Sequence, residues 1–350
     1  MAQIDELFKR LIETKGSDLH LEQGQKPKMR IHGELQDVES QSVLTQDHML
    51  ELLKEIAAKE DWARFDKRGD LDFAYSLGMQ ARFRANYFRH FFGYGAIFRL
   101  IPSQILTLDE LGMPATLKKF ADKNSGLILV TGPTGSGKST TLAAIINHIN
   151  EMKKKKIVTI EEPVEFMHTN KNCIIVHREV GMDTESFASG LRSALKSDVN
   201  IILVGEMRDR ETIELALTAA EKGILVFGTL HTNSAAKTID RIIDVFPTNK
   251  KNQIRTILAN TLKGIVAQQL LKSADHARRH VAYEILLESP SLPALIRAGE
   301  TVKITSEIQL NRQNGMTLMD DCLMQLVQGG KVTKEEAYLK ALDKSRFMTT

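Results

Sequence analysis

One octapeptide limits what this chain can become: Gly132-Pro133-Thr134-Gly135-Ser136-Gly137-Lys138-Ser139. It follows the apolar run Gly126-Leu127-Ile128-Leu129-Val130-Thr131 and precedes a helix predicted over 139–151. A strand, a glycine-rich loop and a helix in that order form a phosphate cradle. The glycines let the backbone wrap an anion with N–H groups pointing inward, and the helix start adds its positive dipole. Lys138 brings a point charge to the β- and γ-phosphates, and the Ser139 hydroxyl brings a ligand for Mg²⁺. The expected ligands are therefore ATP and Mg²⁺, bound by Gly132, Pro133, Thr134, Gly135, Ser136, Gly137, Lys138, Ser139 and the following Thr140.

Around this loop the pattern is α/β. Strands are predicted at 126–131, 157–160, 200–205 and 225–230, and a further helix at 211–222. Such alternation builds a parallel sheet with helices on both faces. From about residue 250 the chain is expected to be helical to its end. The first hundred residues read differently. Ile4, Leu7, Phe8, Leu11 and Ile12 recur at helical spacing, with Gly16 as the stop. Period-two runs follow at 18–21, 28–32, 71–77, 81–89 and 96–100, interrupted by a helix at about 46–65. The resulting expectation is an α+β domain over 1–100, a linker over 101–113, the ATPase domain over 114–289 and a helical subdomain over 290–350.

Hydrolysis needs carboxylates to polarise water and to hold the metal shell. Two acidic clusters stand at the carboxyl ends of predicted strands, where ligands collect in open α/β sheets. The first is Glu161-Glu162-Pro163-Val164-Glu165; the second is Gly205-Glu206-Met207-Arg208-Asp209. Gly205 stands where many P-loop enzymes have aspartate, so Glu206 is expected to reach Mg²⁺ or its waters. Glu165 is the expected general base, with Glu161 and Glu162 able to exchange roles with it. His231, at the end of the run 225–230 and beside Thr232 and Asn233, is a candidate γ-phosphate sensor.

Composition narrows the partners. The 47 basic and 44 acidic residues leave a net charge of +3, too little field for direct nucleic-acid binding. The two cysteines have no metal-site or disulfide spacing. No apolar run reaches the roughly 18 residues of a membrane span, and the start lacks the features of a signal peptide. A cytoplasmic protein is expected, peripheral at the inner face of the membrane through a partner.

The phosphate loop, two acidic boxes and His231 in this order resemble the secretion-type ATPases of type IV pili and type II secretion. They are most similar to the PilT-like retraction branch. Ser17-Asp18-Leu19-His20-Leu21 with Gly24, Pro27, Arg30 and Gly33 resembles the family's opening strand signature. Arg82-Phe83-Arg84, Phe98-Arg99, Arg178-Glu179-Val180-Gly181 and Gln268-Gln269-Leu270 also match. The resemblance implies a PAS-like N-terminal domain joined to a RecA-like domain in a homo-hexameric ring. Arg82, Arg84 and Arg99 would close on the phosphates, coupling hydrolysis to domain motion. It also implies an inner-membrane platform protein and the pilus machinery as partners, and pilus retraction with twitching motility as the output. The chain departs from the family at Glu162 and Lys196, where aspartate and arginine are usual, and residues 293–300 only echo the retraction signature. An accessory PilU-like paralogue is the alternative reading. A nucleic-acid translocase and a small-molecule kinase fit the charge and the paired acidic boxes less well.

Overall fold

The structure, a computed structural model, describes residues 2–31, 33–78, 80–101, 104–275 and 278–348. His32, at the end of one predicted strand, and residues 102 and 103 of the predicted linker lie outside the described residues. The chain divides into two compact units, Met1–Gln104 and Ile105–Thr350.

In the first unit α1 (Ile4–Glu13) leads to β1 (Asp18–Glu22), β2 (Lys28–Ile31) and β3 (Glu34–Asp37). Then come α2 (Gln46–Ile56), α3 (Lys59–Arg68), β4 (Asp70–Leu77), β5 (Ala81–His90) and β6 (Gly93–Ile101). The strands form one antiparallel sheet in the order β3-β2-β1-β6-β5-β4. Its core is made by Phe8 and Leu11 of α1, Leu52 and Leu53 of α2, Phe65 of α3 and the inward Phe83, Tyr87 and Phe98. Phe8 stacks on Phe83 with ring centroids 4.2 Å apart.

Three local expectations are corrected here. The helix predicted at 46–65 is two helices, because Ala57 and Ala58 are extended and Glu60 and Asp61 open a new first turn. The residue that ends α1 in the left-handed region is Lys15 (φ 54°), not Gly16. Gly16 is needed for space, since a Cβ there would lie 2.5 Å from Leu11 Cδ1. Strand β3 was not expected: Glu-Leu-Gln-Asp is exposed at every position, so no apolar face marks it.

The second unit begins with α4 (Lys118–Ala121), β7 (Gly126–Thr131), α5 (Lys138–Met152), β8 (Lys156–Glu161) and β9 (Ile174–Glu179). It continues with α6 (Phe187–Ala194), β10 (Ile201–Val204), α7 (Arg210–Glu221), β11 (Leu225–Leu230), α8 (Ala235–Asp244) and α9 (Thr248–Thr261). β12 (Leu262–Lys272) and β13 (Arg279–Leu287) precede α10 (Leu292–Ala298), α11 (Ile304–Leu310), α12 (Met319–Gln328) and α13 (Lys334–Lys340). The sheet order is β13-β12-β7-β11-β10-β8-β9, parallel except for the antiparallel edge pair β12–β13. Leu127 and Leu129 of β7 face a layer that includes α6 to α9, while Ile128 and Val130 face α5. Burial on both faces explains why these strands are continuous apolar runs.

The helical reading from residue 250 onward is corrected by β12 and β13. β12 is buried along nearly its whole length, so it lacks the period-two signature that separates a strand from a buried helix. Beyond β13 the chain is helical, with α10 and α11 joining the larger core and α12 and α13 packing around Leu271, Ala282 and Phe347.

Candidate functional site

The phosphate loop leaves the middle of the sheet, between β12 and β11. Gly132 (φ 145°) has no room for a side chain: a Cβ would lie 2.2 Å from Gln268 O. Gly137 (φ 87°) turns into α5, and a Cβ there would meet Gln268 Nε2 at 3.2 Å. Gln268, on β12, donates from Nε2 to Ser136 O at 2.7 Å. The loop is thus shaped by glycines and held by one buried amide. Lys138 Nζ donates to Gly132 O at 2.9 Å and Pro133 O at 3.1 Å. Burial lowers the pKa of Lys138, and the charges of Glu206 and Glu165 oppose that shift. Ser139 and Thr140 occupy the first turn of α5, half-buried, while Pro133, Thr134 and Gly135 are exposed. Among the described residues the buried Ser136 Oγ and Thr131 Oγ1 have no hydrogen-bond partner. The loop therefore fits a phosphate chain, and the Ser139 hydroxyl and Glu206 carboxylate are suitable hard oxygen donors for Mg²⁺.

The other candidates end the neighbouring strands. Glu161 closes β8, Glu206 follows β10, and His231 follows β11. Gly205 is explained by crowding, since a Cβ there would lie 3.2 Å from Glu161 Cα. The Glu206 carboxylate lies 2.8 Å from Arg208 NH2 and 3.1 Å from His231 Nε2. Arg208 NH1 also meets Glu162 Oε2 at 3.0 Å. Burial pushes the Glu206 carboxyl up, but the Arg208 hydrogen bond and charge, with His231, hold it below its ordinary value. Burial raises Glu161 to about 7, and Glu165 and Glu179 add to that, against the Thr159 hydroxyl and the Glu165 N–H. Glu165 lies in the loop after β8, and its carboxylate makes no hydrogen bond or ion pair among the described residues. Lys138, Glu165 and Glu206 interact electrostatically, and Glu206 links His231, Arg208 and through it Glu162. Arg208 and Gln268 were missing from the expected site. The motif positions flagged both segments, but only strand pairing shows what each side chain holds.

Arg82, Arg84 and Arg99 lie in the first unit. Arg84 and Arg99 are direct cross-strand neighbours on β5 and β6. Asp18, 7% exposed at its side chain, accepts from Arg99 Nε at 2.9 Å and lies 3.7 Å from Arg30 Nε. Burial pushes Asp18 up, but Ser17 and Arg99 outweigh it and hold its carboxyl low. Arg84 is exposed, and Arg99 opposite it already has the Asp18 carboxylate as its counter-charge.

Known proteins place the chain. The family model described as "Type II/IV secretion system protein" matches residues 1–317. The type IV pilus retraction ATPase PilT of Pseudomonas aeruginosa is 45% identical over 338 residues, covering 97% of this chain and 98% of PilT. The type IV pilus ATPase PilU of the same organism is 35% identical, covering 97% of this chain and 88% of PilU. A crystal structure of the pilus retraction motor PilT with bound ADP superposes with a TM-score of 0.92 at 39% identity, covering 99% of this chain and 98% of that one. With its glycine-shaped phosphate loop and its acids at adjacent strand ends, the chain belongs to the type II/IV secretion system protein family.

Proposed function

We propose that this chain is a ring-forming ATPase whose hydrolysis cycle drives retraction of a type IV pilus. The observation that carries the reading is the grouping of Lys138, Glu165, Glu206 and His231 about the carboxyl ends of one parallel sheet. Identity of 45% to PilT against 35% to PilU favours the retraction motor over the accessory paralogue.

Each residue has a task that suits its surroundings. The loop N–H groups and Lys138 bind the phosphates of ATP. Glu206, kept ionised by Arg208, and Ser139 hold Mg²⁺, which neutralises charge on the phosphates when bound. Glu165, whose carboxylate makes no hydrogen bond or ion pair among the described residues, accepts the proton of the attacking water, with Glu161 beside it. His231 is assigned the sensing of γ-phosphate loss, a role supported by its contact with Glu206. Arg82, Arg84 and Arg99 supply the closing charges, and six copies form the ring. Among the described residues no helix is long and apolar enough to cross a membrane. Docking at the inner face is assigned to an inner-membrane platform protein.

Glu165→Gln tests the catalytic part. The variant is expected to bind ATP with unchanged affinity while turnover falls about a hundredfold or more. Turnover at the wild-type rate would remove Glu165 from the role of base.

A further inference from the structure

The segment after β8 that carries Glu165 is tied to the sheet edge by side chains of β9. Val164 N–H donates to Glu179 Oε2 at 3.1 Å, and His168 N–H donates to His177 Nε2 at 3.1 Å. Because Nε2 of His177 accepts, the hydrogen-bond network assigns its ring proton to Nδ1, which lies 2.9 Å from Thr159 Oγ1 on β8. His177 is therefore neutral and bridges the segment to β8. The His168 ring stacks on His177 with centroids 5.8 Å apart and 11° between planes. Val164 and Phe166, on either side of Glu165, are 2% and 7% exposed. Glu165 thus sits between two anchored side chains and between two amides that β9 holds.

We propose that His177 and Glu179 are positioning residues for Glu165, fixing the backbone on which it is carried. This rests on Glu165 being the general base. Glu179 is itself only 5% exposed. A carboxylate so buried is retained at a cost unless its acceptor capacity is used, and here Val164 uses it. A base held loosely loses rate steeply, since a displacement of 1 Å is worth about a hundredfold.

Glutamine can mimic the neutral imidazole: its Oε1 accepts from His168 N–H while its amide donates to Thr159. Alanine can do neither. With the full-length protein, His177→Ala is expected to lower kcat about tenfold or more while KM for ATP stays within about threefold. His177→Gln is expected to restore kcat to within about threefold of wild type. Amide hydrogen exchange is expected to quicken over residues 162–168 in the alanine variant and to stay slow in the glutamine variant. If His177→Ala does not fold, His177→Phe, which keeps the ring but neither hydrogen bond, is used instead and should slow kcat several-fold. In a Glu165→Gln background the same alanine change is expected to add less than about twofold.

The proposal is overturned if His177→Gln is as slow as His177→Ala, if the alanine loss recurs in full without Glu165, or if kcat is unchanged. Glu165→Gln alone reports on the base itself. The exchange comparison reports on the tether, so the two failures are separable.

Discussion

Replacing Gln268 by leucine tests whether β12 holds the phosphate loop. Gln268 is 1% exposed, and its amide donates to Ser136 O at 2.7 Å. Leucine keeps the volume but leaves the Ser136 carbonyl without its donor, at a cost of about 1–3 kcal/mol. The change also removes Gln268 Oε1, which is buried without a hydrogen-bond partner. Relief of that group offsets part of the loss, so the net effect should be about 1–2 kcal/mol, a factor of about 5–30. The loss divides between nucleotide affinity and unfolding stability according to whether the loop alone or the whole strand edge relaxes. Titration with a fluorescent ATP analogue and urea unfolding measure the two parts. If affinity stays within twofold and stability is unchanged, the loop does not depend on this bond.

Glu161 gives a pH test. Its carboxyl titrates at about 7 in the fold against an ordinary value of 4.5. The folded chain keeps a proton there that the unfolded chain has released, so the residue costs stability as pH rises from 4.5 through 7. The limit is about 3 kcal/mol. Urea midpoints should show Glu161→Gln gaining on wild type between pH 5 and pH 8, whereas a constant difference would contradict the buried ionisation. Arg84→Ala should slow ATP turnover about a hundredfold while leaving stability within about 0.5 kcal/mol, since the side chain is exposed. A normal steady-state rate would remove it from the closing set.

What the sequence showed early was local. The phosphate loop needs only eight consecutive residues and the strand before it, and Glu206 and His231 are legible because each punctuates a short apolar strand. The residues that hold these groups are distant in the chain. Gln268 acts on Ser136 across 132 positions, from a strand whose burial on both faces reads equally well as helix. Arg208 sits inside a flagged box, but its bridge between Glu162 and Glu206 exists only because β8 and β10 pair. His177 and Glu179 lie on β9, where Ile174 and Val176 face outward and blur the apolar pattern. Hydrophobic period locates elements; it does not report which polar side chain crosses from one to the next.

The most direct measurement is made in the native host. The chromosomal copy is replaced by Lys138→Ala, which keeps the protein but removes its phosphate charge, and surface pili are counted and followed in time. Excess pili that extend and do not retract are expected. Loss of pili would assign the chain to extension, and normal retraction would show that ATP hydrolysis here does not power it.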